Sequence, residues 1–228
     1  MGKKRTIVCY GDSNTWGVIG DWKDTGLPSS RYETTFRWPN VMGNKLGDDY
    51  IVVNEGLGGR TTIYTPSVKP WRNGETYLLP CLYTHRPVDL VIVMLGTNDL
   101  QQENLLTEDT LGDGIDRLIR TIQSTSDCGP EFKPPQVLIL APAEIKRSAA
   151  PGRTDLYDKF HGERGLTLSK LFPLVYRKVA QDRSCYFLNA AQYAEPCDAD
   201  GVHFTPESHT RLGEAVAEYV RTYIFPEG

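Results

Sequence analysis

Five short apolar runs recur along this chain, and longer segments with helical periodicity separate most of them. The runs are Thr6–Tyr10, Tyr50–Asn54, Asp89–Leu95, Gln136–Ala141 and Cys185–Asn189. They are continuously apolar and rich in β-branched residues, the pattern of strands buried on both faces of a parallel sheet. Trp38–Leu46, Leu111–Thr125, Leu166–Asp182 and Pro206–Tyr223 read as helices. In the last, Thr205 can cap and Pro206 suits the first turn. Leu212, Ala215, Val216, Tyr219 and Val220 then form one apolar stripe. The alternation predicts an α/β fold, a doubly wound parallel sheet of five strands. A length of 228 residues suits one domain, 1–228, with a full core. No internal repeat or low-complexity linker divides it. Gly20–Arg37 and Pro142–Gly165 read as long loops, which in a compact domain are commonly functional. Asp127–Pro135 reads as a short surface connection.

In sheets of this kind ligands bind beyond the carboxyl ends of the strands. Several polar groups follow predicted strands within a few residues: Ser13 in Gly11-Asp12-Ser13-Asn14, the pair Gly58-Gly59, and Asn98 in Gly96-Thr97-Asn98-Asp99. Asp200-Gly201-Val202-His203 follows the last strand at a longer distance. All of them therefore converge on one edge of the sheet. Ser13 is the candidate nucleophile; taken alone it reads equally as a helix cap. A weak nucleophile needs a base, and the base an orienting carboxylate. His203 supplies the imidazole, the side chain suited to taking and returning a proton near neutral pH. Asp200 stands three residues earlier, although Asp-Gly is also a common turn. His85, His161 and His209 are weaker candidates by position. The backbone N–H of Ser13, Gly59 and Asn98 are candidate oxyanion donors, each such donor contributing roughly 3 kcal/mol to a transition state. Trp16, Tyr64 and Phe160 are candidate pocket walls, with core packing as the ordinary alternative.

Other classes find less support. The first block lacks the second glycine of the G-x-S-x-G elbow. Neither G-x-G-x-x-G nor a P-loop occurs. A net charge of −4 and the absence of a Lys/Arg block argue against a nucleic-acid partner. Asp12 and Asp99 have no accompanying histidine cluster, so no metal or cofactor is expected. Five cysteines, with no C-x-x-C pair, read as buried thiols in a reducing compartment. No apolar stretch has signal-peptide or membrane-spanning length, so a cytoplasmic protein is expected. Met1-Gly2-Lys3-Lys4-Arg5-Thr6 fits the loose myristoylation pattern. A first strand beginning by Thr6 or Ile7 leaves that segment almost no free arm.

Taken together, four blocks resemble those of the SGNH hydrolases, or GDSL-type esterases: Gly11-Asp12-Ser13-Asn14, Asn54-Glu55-Gly56-Leu57-Gly58-Gly59, Gly96-Thr97-Asn98-Asp99 and Asp200-Gly201-Val202-His203. They occur in family order along the length of the domain. The first departs in Asn14, where Leu is usual, at a position the family does not use catalytically. Further stretches resemble the mycobacterial arylesterase/acyltransferase (perhydrolase) branch: Thr15-Trp16-Gly17, Gly59-Arg60-Thr61-Thr62, Asn73-Gly74 to His85, Val91–Asp99, and Phe204-Thr205. The resemblance implies a flavodoxin-like three-layer α/β/α fold and an acyl-serine intermediate on Ser13. It implies small esters as substrates, with acyl transfer to alcohols or peroxide competing with hydrolysis. It also implies a homo-oligomer, from a dimer up to an octamer, with no membrane or nucleic-acid partner. A carbohydrate acetyl esterase of the same fold shares every catalytic residue and stays open. A non-catalytic flavodoxin-like binding module is the more distant alternative.

Overall fold

The computed structural model describes residues 4–20, 30–148 and 155–226. The opening residues 1–3 and the middle of the Gly20–Arg37 segment therefore lie outside the described residues. Five strands form one sheet: β1 (Arg5–Gly11), β2 (Tyr50–Gly56), β3 (Leu90–Met94), β4 (Gln136–Ala141) and β5 (Tyr186–Asn189). All neighbours are parallel, and the order is β2-β1-β3-β4-β5. This is the flavodoxin-like order, whose switch point lies between β1 and β3.

Helices cover both faces. They are α1 (Ser13–Trp16), α2 (Trp38–Leu46), α3 (Gly74–His85), α4 (Asp113–Gln123), α5 (Asp155–Lys159), α6 (Glu163–Ser169), α7 (Phe172–Asp182) and α8 (Pro206–Tyr219). The period-two geometry of a strand divides its side chains between two cores. Val8, Tyr10, Val91, Val93, Val137 and Ile139 share a cluster with residues of α3, α4 and α7. Ile7, Cys9, Leu90, Ile92, Leu138 and Leu140 share the other with residues of α2 and α8. Both faces are apolar, so β1 and β3 read as unbroken apolar runs.

Two expectations need correction, and one helix is not among those expected. The Leu166–Asp182 helix is two helices, α6 and α7. Pro173 has no N–H to continue the ladder across Lys170 and Leu171, and it occupies the first turn of α7 instead. The Pro142–Gly165 segment is not wholly a loop, because it contains α5 and the start of α6. Helix α3 is absent from the sequence pattern, since Pro80 lies inside it and its apolar residues do not keep to one face. At the C-terminus α8 ends at Tyr219 and continues as a wider π turn, Val220–Ile224.

Candidate active site

Gly11 ends β1 hard against α1 and β3: a Cβ there would lie 2.0 Å from Thr15 Oγ1 and 3.0 Å from Met94 O. Helix α1 starts at once. Asp12 caps it by accepting from the Asn14 N–H at 2.9 Å, and Gly17 ends it in the left-handed region at φ 95°. Ser13 is thus fixed at the carboxyl end of a central strand, beside the switch point.

His203 arrives from the other end of the chain on a short, closed loop. Pro196 and Phe204 form an antiparallel bridge, and the Cys197 N–H donates to His203 O at 2.7 Å. Gly201, at φ 73°, has no room for a side chain: a Cβ would sit 1.9 Å from Lys146 O. His203 Nε2 lies 3.0 Å from Ser13 Oγ, and its Nδ1 lies 2.6 Å from Asp200 Oδ2. Asp200 Oδ1 accepts from the backbone N–H groups of Val202 and His203 at 2.8 and 2.9 Å. The Asp-Gly turn and the orienting carboxylate are therefore one device. Burial opposes the Asp200 charge, but the hydrogen bonds and charge of His203 outweigh it and hold the carboxyl below the usual range.

The remaining predicted residues gather at the same edge. The Leu57 N–H donates to Gly11 O at 3.1 Å, which brings the turn after β2 against the Ser13 segment. Gly59 takes φ 80° in that turn. Asn98 Nδ2 donates to Arg60 O at 3.1 Å and reaches Asp12 Oδ2 at 3.4 Å, while Gln101 Nε2 donates to Asn98 Oδ1 at 2.9 Å. The N–H groups of Ser13 and Gly59 find no acceptor among the described residues. Two N–H donors without acceptors among the described residues, close along the fold to the Asn98 amide, suit an oxygen that gains negative charge.

Two functional features are not legible in the sequence. Asn14, which follows Ser13 and has no catalytic signature, is a clamp: its Nδ2 donates to Val202 O at 3.1 Å and its Oδ1 accepts from the Phe204 N–H at 3.0 Å. It grips both neighbours of His203. Asp99, whose residue type suggests only a metal ligand, accepts from the Thr62 N–H at 2.8 Å and the Thr62 hydroxyl at 2.5 Å. That joins the block after β3 to the segment after β2. The signal for both is local sequence only, and their partners lie far away along the chain.

Trp16 closes α1, half-buried, with the Arg31 guanidinium 4.5 Å above its ring. Phe160 is 3% exposed inside the core, so its role is packing and not a pocket wall. Tyr64 also packs against that core. His209 is fully buried between Tyr32 and Phe204, and desolvation pushes its pKa down to about 3. Among the described residues, one cluster mixes metal-ligating types: Glu55, Cys81 and His85, with ligand atoms within 4.8 Å of one another. His85 Nε2 is already paired with Glu55 at 2.8 Å. Burial pushes the Cys81 thiol up to about 12, which keeps it protonated. The cluster therefore reads as a core contact. No helix among the described residues is long and apolar enough to cross a membrane.

Comparison with known proteins agrees with this geometry. Residues 9–211 match the model of the GDSL-like lipase/acylhydrolase family. A search of curated proteins finds no match. Among solved structures, the carbohydrate acetylesterase Est24 from Sinorhizobium meliloti is 33% identical with a TM-score of 0.86, over 95% of this chain and 98% of its own. The aryl esterase of M. smegmatis is also 33% identical, with a TM-score of 0.85 over 96% of this chain and 99% of its own. A lipase/acylhydrolase from Enterococcus faecalis shares the fold at 17% identity and a TM-score of 0.64, over 95% of each chain. The chain belongs to the GDSL-like lipase/acylhydrolase family, the SGNH hydrolases, and is a carboxylic ester hydrolase.

Proposed function

We propose that Ser13 is the nucleophile of a small-ester hydrolase working through an acyl-serine intermediate. The observation that carries this is the unbroken hydrogen-bonded chain from Ser13 Oγ through His203 to Asp200. His203 Nε2 takes the hydroxyl proton as Oγ attacks the ester carbonyl, and Asp200 holds the ring and stabilises the imidazolium. The N–H groups of Ser13 and Gly59 and the Asn98 amide receive the oxyanion. His203 then passes its proton to the leaving alcohol, and water repeats the attack on the acyl-enzyme. Trp16 lies one turn from the nucleophile and is proposed to border the substrate. Acyl transfer to alcohols, a cytoplasmic location, a single domain over 1–228 and a homo-oligomer complete the proposal. The likeness to an aryl esterase supports aryl and alkyl acetates as substrates. The likeness to a carbohydrate acetylesterase supports acetylated sugars as the second reading.

Hydrolysis of p-nitrophenyl acetate by wild type and Ser13→Ala, with and without n-butanol, tests the proposal. We expect Ser13→Ala to lose at least about 10³ in kcat. Butyl acetate should form in the wild-type reaction with butanol. Undiminished activity in Ser13→Ala sinks the mechanism. Free acid alone in the presence of butanol removes the transfer part and leaves hydrolysis, and acetylated xylan as the better substrate favours the second reading.

A further inference from the structure

One cation beside this site has no part in the Ser13 mechanism. Arg72 ends the short helical turn Pro70–Arg72, and its backbone is well fixed: its carbonyl accepts from the Thr61 N–H at 3.0 Å, and Asn73 caps the following helix. The side chain folds back over the Gly59 turn. A Cβ built on Gly59 would stand 2.5 Å from Arg72 Cζ, 2.6 Å from Nη1 and 2.7 Å from Nε. The guanidinium therefore lies flat against the Cα of the residue whose N–H is proposed to hold the oxyanion.

Arg72 as a residue is half-buried, yet its guanidinium has no hydrogen bond, ion pair or ring contact among the described residues. The other arginines around the site are engaged. Arg60 donates to Gly11 O and Glu55 O and stacks on Tyr10, Arg31 donates to Trp16 O, and Arg37 donates to Tyr32 O. The segment from Thr65 to Asn73 carries Lys69 and Arg72 and no acid. None of its nitrogens is a buried atom without a partner, so its unfilled donors are open to solvent and can be taken up by an anion. The planar fork of arginine matches a carboxylate through two parallel hydrogen bonds, and a phosphate or sulfate by the same geometry.

We infer that Arg72 is a specificity-determining residue that receives an anionic group of the ester, so that the enzyme selects esters carrying a negative charge near the scissile bond. This rests on the Ser13 reading and deepens it by naming the substrate class. The anion sits either on the acyl chain or on the leaving group, and matched substrate pairs separate the two. For the acyl side the pair is the 4-nitrophenyl monoester of succinic acid against 4-nitrophenyl butyrate. For the leaving group it is 4-acetoxybenzoate against 4-acetoxybenzamide.

The quantity to read is the anionic-to-neutral ratio of kcat/KM in wild type, Arg72→Gln and Arg72→Lys. We expect the ratio of one pair to fall by about tenfold or more in Arg72→Gln, mainly through KM, and to recover in part in Arg72→Lys. Added salt should compress the wild-type ratio. The pair that responds tells which side carries the anion. Ratios unchanged in both pairs overturn the inference and leave Arg72 as a cover for the Gly59 turn. A wild type inactive on all four esters overturns the inference; a Ser13→Ala variant as active as wild type refutes the Ser13 reading itself, and the inference falls with it.

Discussion

Asn14 joins two segments that are 188 residues apart, and it does so with one amide. Its two hydrogen bonds close on the backbone of Val202 and Phe204, so the His203 backbone between them cannot drift from the Ser13 segment without breaking one. Asn14→Ala removes both bonds and leaves Ser13, His203 and Asp200 chemically intact. A displacement of about 1 Å at a reacting group costs roughly 10² in rate. We expect kcat/KM for p-nitrophenyl acetate to drop about 10- to 100-fold while circular dichroism stays unchanged. An equal kcat/KM would show that the bridge of Pro196 to Phe204 and the bonds of Asp200 position His203 without Asn14. Ser13, His203, Asp200, Gly59 and Asn98 can be picked out of the sequence because their residue types announce chemistry. Asn14 cannot. An amide beside Ser13 has no intrinsic reactivity, and its contacts exist only once the far loop is folded against it. Arg72 is hidden for the same reason, since the chain must fold back through Pro70–Arg72 before its guanidinium covers Gly59.

At the scale of elements, the crossing of α2 and α8 depends on one missing side chain. A Cβ at Gly213 would lie 2.7 Å from Trp38 O and 2.7 Å from Val41 Cβ. Alanine favours a helix by up to about 1 kcal/mol over glycine, but here it meets backbone and a β-branched residue, neither of which gives way easily. Overpacking of this kind costs about 1–3 kcal/mol. Gly213→Ala is therefore expected to lower Tm by a few degrees in a thermal melt; a raised Tm would mean the helices separate at no cost. All five strands and α8 are legible in the sequence, because continuous β-branched runs and a periodic stripe are set by burial that the sequence itself encodes. Helix α3 is not. Pro80 signals a break, and Tyr77, Leu79 and Tyr83 on its exposed side blur the stripe formed by Leu78, Cys81 and Leu82. Tertiary contact with the sheet overrides local preference there. The break between α6 and α7 errs in the opposite sense: the periodic pattern runs on across Pro173, and the backbone does not.

For the whole molecule, the strand order has an electrostatic consequence. Placing β1 beside β3 brings together the segments after each, and with them two buried acids, Asp12 and Asp99, at 2% and 3% exposure. Burial pushes Asp12 up to about 6, against the Asn14 N–H and the charge of His203. Burial also pushes Asp99 up to about 7, against its bonds from Thr62 and with the Asp12 charge adding to the rise. In the unfolded chain both titrate near the ordinary value of about 3.9. Between pH ~4 and ~7 the folded protein therefore binds more protons than the unfolded chain, and this contribution to stability is lost as pH rises through that window. Asp200 acts in the other direction. Its contribution is present above the unfolded value and is lost as pH falls through its lowered folded one. Asp99→Asn separates these effects. The variant keeps an oxygen for the Thr62 N–H and turns its NH₂ toward the Thr62 hydroxyl oxygen, while removing the charge that burial penalises. We expect its Tm to exceed that of wild type at pH 8, each kcal/mol being worth about 2–4 °C in a chain of this size. The gap should close as pH falls toward 4, where the wild-type carboxyl is protonated in the fold. Parallel Tm profiles across that range would mean that Asp99 titrates alike in both states, and that the switch point bears its two acids without a penalty.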